Sequence, residues 1–128
     1  MFTTRRLGPR PDATAPDGSE VRLLAAVARG SMAHFALPPH QVSKAVAHKT
    51  VEEVWYFTRG TGRIWRRLGG HEKVVGVQPG VSIGIPAGTS FQFRSDSDEP
   101  LEAVGVTMPP WPGGDEAVEV EGMWRPTA

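Results

Sequence analysis

Short β-type runs, each closed by glycine or proline, constrain this chain more than any other feature. Nine can be traced, at 20–28, 31–37, 42–48, 52–58, 61–68, 72–78, 81–85, 90–95 and 100–108. Several alternate apolar and polar residues with period two, the pattern of a strand with one face buried. In Phe91-Gln92-Phe93-Arg94 the two rings fall on one face and the polar groups on the other. Between the runs stand turn sequences: Asp17-Gly18, Leu68-Gly69-Gly70-His71, Gln78-Pro79-Gly80 and Ile85-Pro86-Ala87-Gly88. The best helical candidate, Val21 to Arg29, has no proper cap and suits a strand equally well. Strands this short at roughly ten-residue spacing predict an all-β sandwich or barrel.

The 128 residues are the length of one domain with one modest core. Fifteen glycines and twelve prolines are spread along the chain and fit a turn-rich fold. Formal net charge is zero, so no nucleic-acid partner and no anionic membrane surface is expected. No run reaches the roughly 18 apolar residues that span a bilayer. The opening MFTTRRLGPRPDATAPDG has arginines but no apolar stretch of the kind a secretory signal carries. Zero cysteines exclude disulfides, thiolate metal ligands and a thiol nucleophile, and a cytoplasmic location is the default. The expected organisation is an irregular arm at 1–18, a barrel at 19–108 and a Pro/Gly-rich tail at 109–128 that packs on it. A short strand is possible near Val118–Glu121, and the arm could add a short edge strand to this chain or a partner.

Two segments carry a resemblance. In the first, VAHKTVEEVWYFTRG, His48 is followed after four residues by Glu53 and after six more by Gly60. In the second, GVSIGIPAGTSFQFRS, Gly80, Pro86 and Gly88 stand in register. This frame resembles the two motifs of the cupin superfamily, and the likeness covers roughly residues 30 to 108. It implies a double-stranded β-helix, or jelly-roll barrel, of the small single-domain cupin type, which often pairs as a homodimer through sheet extension. The family's usual ligand set is three histidines and a glutamate. Here Val46 stands for the first histidine and Phe91 for that of the second motif, and Ser95 replaces the closing asparagine. Only His48 and Glu53 remain, so the resemblance implies the barrel together with a degenerate metal site.

In the cupin register Val46 and His48 point inward from one strand, and Glu53, Trp55 and Phe57 from the next. Two donors beside a valine and a phenylalanine fall short of the three or more a divalent ion takes. His34, on the preceding run, is the candidate third ligand, which would make a two-His-one-carboxylate set for Zn, Mn, Fe or Ni. Without metal, Glu53 could orient His48 as an acid or base, the arrangement of some metal-free cupin-like epimerases. The two side chains could equally do no more than satisfy each other in a wet barrel mouth.

Val46, Trp55, Phe57, Phe91 and Phe93 are expected to line an apolar pocket with these few polar groups, and Trp65 belongs to the same set of rings. Trp111 and Trp124 could cap the mouth or a dimer seam. Among Arg63, Arg66 and Arg67, alternation sends Arg66 to the face opposite the other two. An inward arginine there would suit a carboxylate or phosphate. His40 and His71 fall in turns and are expected to be exposed. The function expected is binding of a small organic metabolite inside the barrel, with no cofactor. The alternative is an isomerase-, epimerase- or lyase-type enzyme using His48 and Glu53, metal-free or with a weakly held divalent ion.

Overall fold

The computed structural model describes residues 2–128, so Met1 of the expected arm lies outside it. Eleven strands form in chain order: β1 (Ala13–Thr14), β2 (Glu20–Val27), β3 (Gly30–Leu37), β4 (Val46–His48), β5 (Glu52–Arg59), β6 (Gly62–Leu68), β7 (His71–Val77), β8 (Ser82–Ile85), β9 (Ser90–Ser95), β10 (Leu101–Met108) and β11 (Ala117–Glu119). No helix occurs among the described residues. The strands make two antiparallel sheets, ordered β1-β2-β3-β10-β5-β8 and β11-β4-β9-β6-β7. The result is an all-β jelly-roll barrel. Eight of the nine expected runs become strands with their ends moved by one residue or less.

The ninth, 42–48, is cut to β4. The cause lies at Ser43, whose N–H donates to the Phe93 carbonyl while its hydroxyl accepts from the Phe93 N–H. A side chain thus stands in for a backbone acceptor, and regular pairing begins only at Val46. The arm adds β1 to its own chain, along β2. Arg22 ties it down further, donating from Nε to the Gly8 carbonyl and from Nη2 to that of Pro9.

The core lies between the sheets. Trp55, Phe57, Phe91, Phe93, Ile64, Ile85, Leu37 and Leu101 are its large members. Alternation explains the choice, since Trp55 and Phe57 come from one face of β5 and Phe91 and Phe93 from one face of β9. Edge-on contacts bind the rings, with Trp55 to Phe93 centroids 5.2 Å apart at 90° and Trp55 to Phe91 5.9 Å apart at 86°. Each such pair contributes about 0.5–1.5 kcal/mol beyond its buried area. Gly105, opposite Trp55 on β10, makes this packing possible. A Cβ there would lie 2.8 Å from both Phe35 Cε2 and Trp55 Cδ1, so only glycine lets the indole lie against the strand. Gly60 turns the chain from β5 to β6 with φ 78°, and a side chain there would collide with the Pro100 carbonyl.

Trp65 corrects one expectation. It is buried, but on the outer face of its sheet, with its indole N–H on Glu72 Oε1 at 2.6 Å. The inner face of β6 belongs to its neighbour Ile64. That outer face is covered by the tail. Gln92 donates to the Trp124 carbonyl and accepts from the backbone N–H groups of Met123 and Trp124. The guanidiniums of Arg94 and Arg63 lie over the Trp124 ring at 5.4 and 5.7 Å. Trp124 therefore lies on the outer face of this sheet and away from the mouth.

Candidate functional site

His48 closes β4 and Glu53 is the second residue of β5, and the inward faces of both strands bring them together. Imidazole Nδ1 lies 3.1 Å from Glu53 Oε2. The oxygen stands off the direction a well-formed N–H···O bond requires, so the two groups are in close approach with Nδ1 otherwise unpartnered. The other carboxylate oxygen, Oε1, accepts from the Trp55 indole N–H at 3.2 Å. Both side chains are buried, His48 at 6% and Glu53 at 3% exposure, and not in a wet mouth.

Rings enclose the imidazole. Phe91 meets it edge-on at 5.3 Å, and Trp111 at 4.9 Å and 68°. The side chains at the two altered motif positions, Val46 and Phe91, are both buried in the core. The hollow expected between His48 and Phe91 is taken up by ring contact. Trp111 belongs to no strand and is held through its backbone N–H on Ser31 Oγ at 3.2 Å. Ser31 Oγ in turn shares a 2.6 Å bond with Thr107 Oγ1, and Thr107 is the β10 partner of Glu53. A second tail residue, Glu116, accepts from the N–H groups of Lys49 and Thr50 and from the Thr50 hydroxyl, stapling the tail to the loop after His48. These bonds hold the Glu116 carboxyl below its ordinary range, the Thr50 hydroxyl contributing most.

Asp17 is a charged neighbour that sequence reasoning missed. It was legible only as half of a turn signal, and it does accept both the backbone N–H and the hydroxyl of Ser19, at 2.9 and 2.6 Å. Its carboxylate is buried, and burial raises its pKa. The Ser19 bonds pull it back, Glu53 pushes it up and His48 opposes that rise, so its charge acts on the pair.

His34 is not brought to His48 and Glu53. Its neighbours Phe35 and Leu37 take the inner face of β3, Phe35 stacking on Trp55 at 5.1 Å, and alternation sends His34 outward. There its Nε2 meets Glu102 Oε1 at 2.8 Å, in a cleft of about 380 Å³ shared with Arg22, Arg59 and arm residues Leu7 and Gly8. Among the described residues no group of three or more His, Asp or Glu is placed to hold a metal ion. The donor set His48 and Glu53, walled by Val46, Phe91 and Trp111, does not fit a resident divalent ion. Phe57 and Phe93 pack in the core beneath Trp55 and away from the pair. Arg66 faces inward, while Arg63 pairs with Asp96 and Arg67 stacks on Trp65. His40 is exposed, bonded to Asp98, and His71 is exposed at the start of β7.

A sequence profile of the family described as Cupin domain matches residues 33–107. The chain is a cupin. No curated protein matches it. Among solved structures, the fold is similar to that of a Bacillus halodurans protein, 20% identical with a TM-score of 0.67, covering 88% of this cupin and 91% of that chain. A Thermus thermophilus protein is 26% identical with a TM-score of 0.58, covering 77% and 90%. Bacillus subtilis oxalate decarboxylase, described with Mn(II) centres, is 16% identical with a TM-score of 0.69, covering 87% of this cupin. This cupin spans 30% of that enzyme's chain, and 30% of the coconut allergen cocosin, another match. No helix of the described residues is long and apolar enough to cross a membrane.

Proposed function

We propose that this cupin binds a small polyhydroxy or carboxylated metabolite inside the barrel at the His48–Glu53 pair, without a metal, and that Trp111 lifts away to admit it. The observation that carries the reading is the origin of the lid. The walls around the imidazole come from barrel strands, but the ring on its open side comes from an irregular tail segment held by one backbone bond to Ser31. A lid of that kind opens at less cost than a strand can move. With Nδ1 turned to Glu53, Nε2 is the imidazole nitrogen that addresses a ligand.

The test is a thermal-shift screen of sugars and small carboxylic acids, read beside tryptophan fluorescence. A compound bound only by the native state raises the melting temperature. The expected result is a rise that disappears in His48→Ala, together with a fluorescence change that disappears in Trp111→Phe. A rise of the same size in His48→Ala, or no compound that stabilises the wild type, overturns the proposal.

The anchoring of Glu53 favours a second reading. The Trp55 N–H fixes one carboxylate oxygen, which presents the other to His48 and suits an oriented acid/base of the isomerase, epimerase or lyase kind. Conversion of the bound compound by the wild type and its intact recovery from His48→Ala supports catalysis, whereas intact recovery from both leaves a binding protein.

A further inference from the structure

The open side of the barrel, between edge strands β7 and β8, carries a cleft of about 370 Å³ that neither reading above uses. Arg66 reaches into it from the inner side of β6, and its Nη1 donates to the Gly84 carbonyl on β8 at 2.8 Å. That carbonyl is neutral. Among the described residues Arg66 makes no ion pair, unlike Arg63, whose fork closes on Asp96. The guanidinium is half-buried, and partial burial with no countercharge lowers its pKa. Lys73 stands directly opposite Arg66 in the β6–β7 register and lines the same cleft. Like charges facing each other across a strand pair destabilise it.

A third group points to what could offset this. Thr89, at 2% exposure, lines the cleft with its hydroxyl oxygen buried and unpartnered. A buried hydroxyl without a partner is itself unfavourable. His71, exposed at the start of β7, lines the rim. Glu72, the one carboxylate there, has Oε1 engaged by the Trp65 N–H.

We propose that this cleft is an anion site, in which the free N–H groups of Arg66, the Lys73 ammonium and the Thr89 hydroxyl receive the carboxylate or phosphate group of a small metabolite. Two facing cations and a stranded donor are then satisfied by one planar or tetrahedral oxyanion. The site does not depend on the interior pair.

Calorimetric titration with inorganic phosphate and, separately, with succinate at matched ionic strength tests it, with sodium chloride as the blank. Phosphate heat alone marks a phosphorylated ligand, and succinate heat alone a carboxylate. The expected result is saturable binding of one of them, weakened roughly tenfold or more in Arg66→Gln, which removes both the charge and the fork that pairs with an oxyanion. Thr89→Val should fold at least as stably as the wild type and bind more weakly, because it removes an unsatisfied hydroxyl without opening a void. Arg67→Gln, on the other face, should bind as the wild type does. Neither anion exceeding the chloride blank, or equal affinities in wild type, Arg66→Gln and Thr89→Val, overturns the proposal.

Discussion

Two imidazoles in this molecule are almost equally buried, each beside a glutamate, yet they stand on different sheets, one turned into the barrel and the other out of it. His48 and Glu53 are inside the barrel among aromatic rings, with 6% and 3% exposure. His34 and Glu102 are outside it, under the N-terminal arm, and Glu102 keeps 19% exposure and a second partner in Arg59. The outer contact is the shorter, 2.8 Å against 3.1 Å, and each ring keeps a buried Nδ1 without a hydrogen-bond partner. The inner pair is the more desolvated of the two, enclosed by rings, whereas the outer pair lies beneath an arm and beside an arginine. Burial by itself does not mark a functional histidine; what covers it does.

The largest effect should separate the glutamates. Glu53→Ala strips the partner from a buried imidazole and the acceptor from the Trp55 N–H, a loss of about 3–5 kcal/mol. Glu102→Ala, at a half-open site, should lose about 1–2 kcal/mol. Urea denaturation measures both, and equal losses would break the contrast. Gly105→Ala sharpens it. The added methyl must push Trp55 off its seat, at about 1–3 kcal/mol. The His48 imidazole resonances should then shift while those of His34 stay in place.

Next come the covers. Trp111→Ala should lose about 1–2 kcal/mol and open His48 alone to chemical modification. Deleting residues 2–12 should open His34 alone at a similar loss. Peptide mapping after diethyl pyrocarbonate treatment identifies the modified ring, and modification of both in either variant would dissolve the distinction.

The smallest effect concerns Asp17, whose charge reaches only the inner pair. Its folded pKa is raised, chiefly by burial, so the native state holds this proton more tightly than the unfolded chain. Its contribution is complete below the unfolded carboxyl range and is lost as pH rises through the folded value. Asp17→Asn keeps an oxygen for Ser19 and removes that titration. The variant should melt above the wild type at neutral pH and lose the advantage in acid. A constant difference across the pH range would remove Asp17 from the electrostatics of the pair.

Period-two patterning and Gly/Pro punctuation were enough to expect an all-β barrel, since alternation dictates which face of a strand is buried and a turn needs residues that tolerate its backbone. The same local rule placed His48, Glu53 and Trp55 on inward faces and set Arg66 apart from Arg63 and Arg67. It could not say which face of β3 was the inner one, so His34 was expected on the wrong side. Trp65 was misplaced for a related reason, because a tail distant in sequence buries the outer face of its sheet. Trp111 over His48 and Asp17 near Glu53 are meetings of residues far apart in the chain. Only the closing of the two sheets and the path of the tail decided them, because patterning orients a side chain relative to its own strand and carries no information about what folds back to meet it.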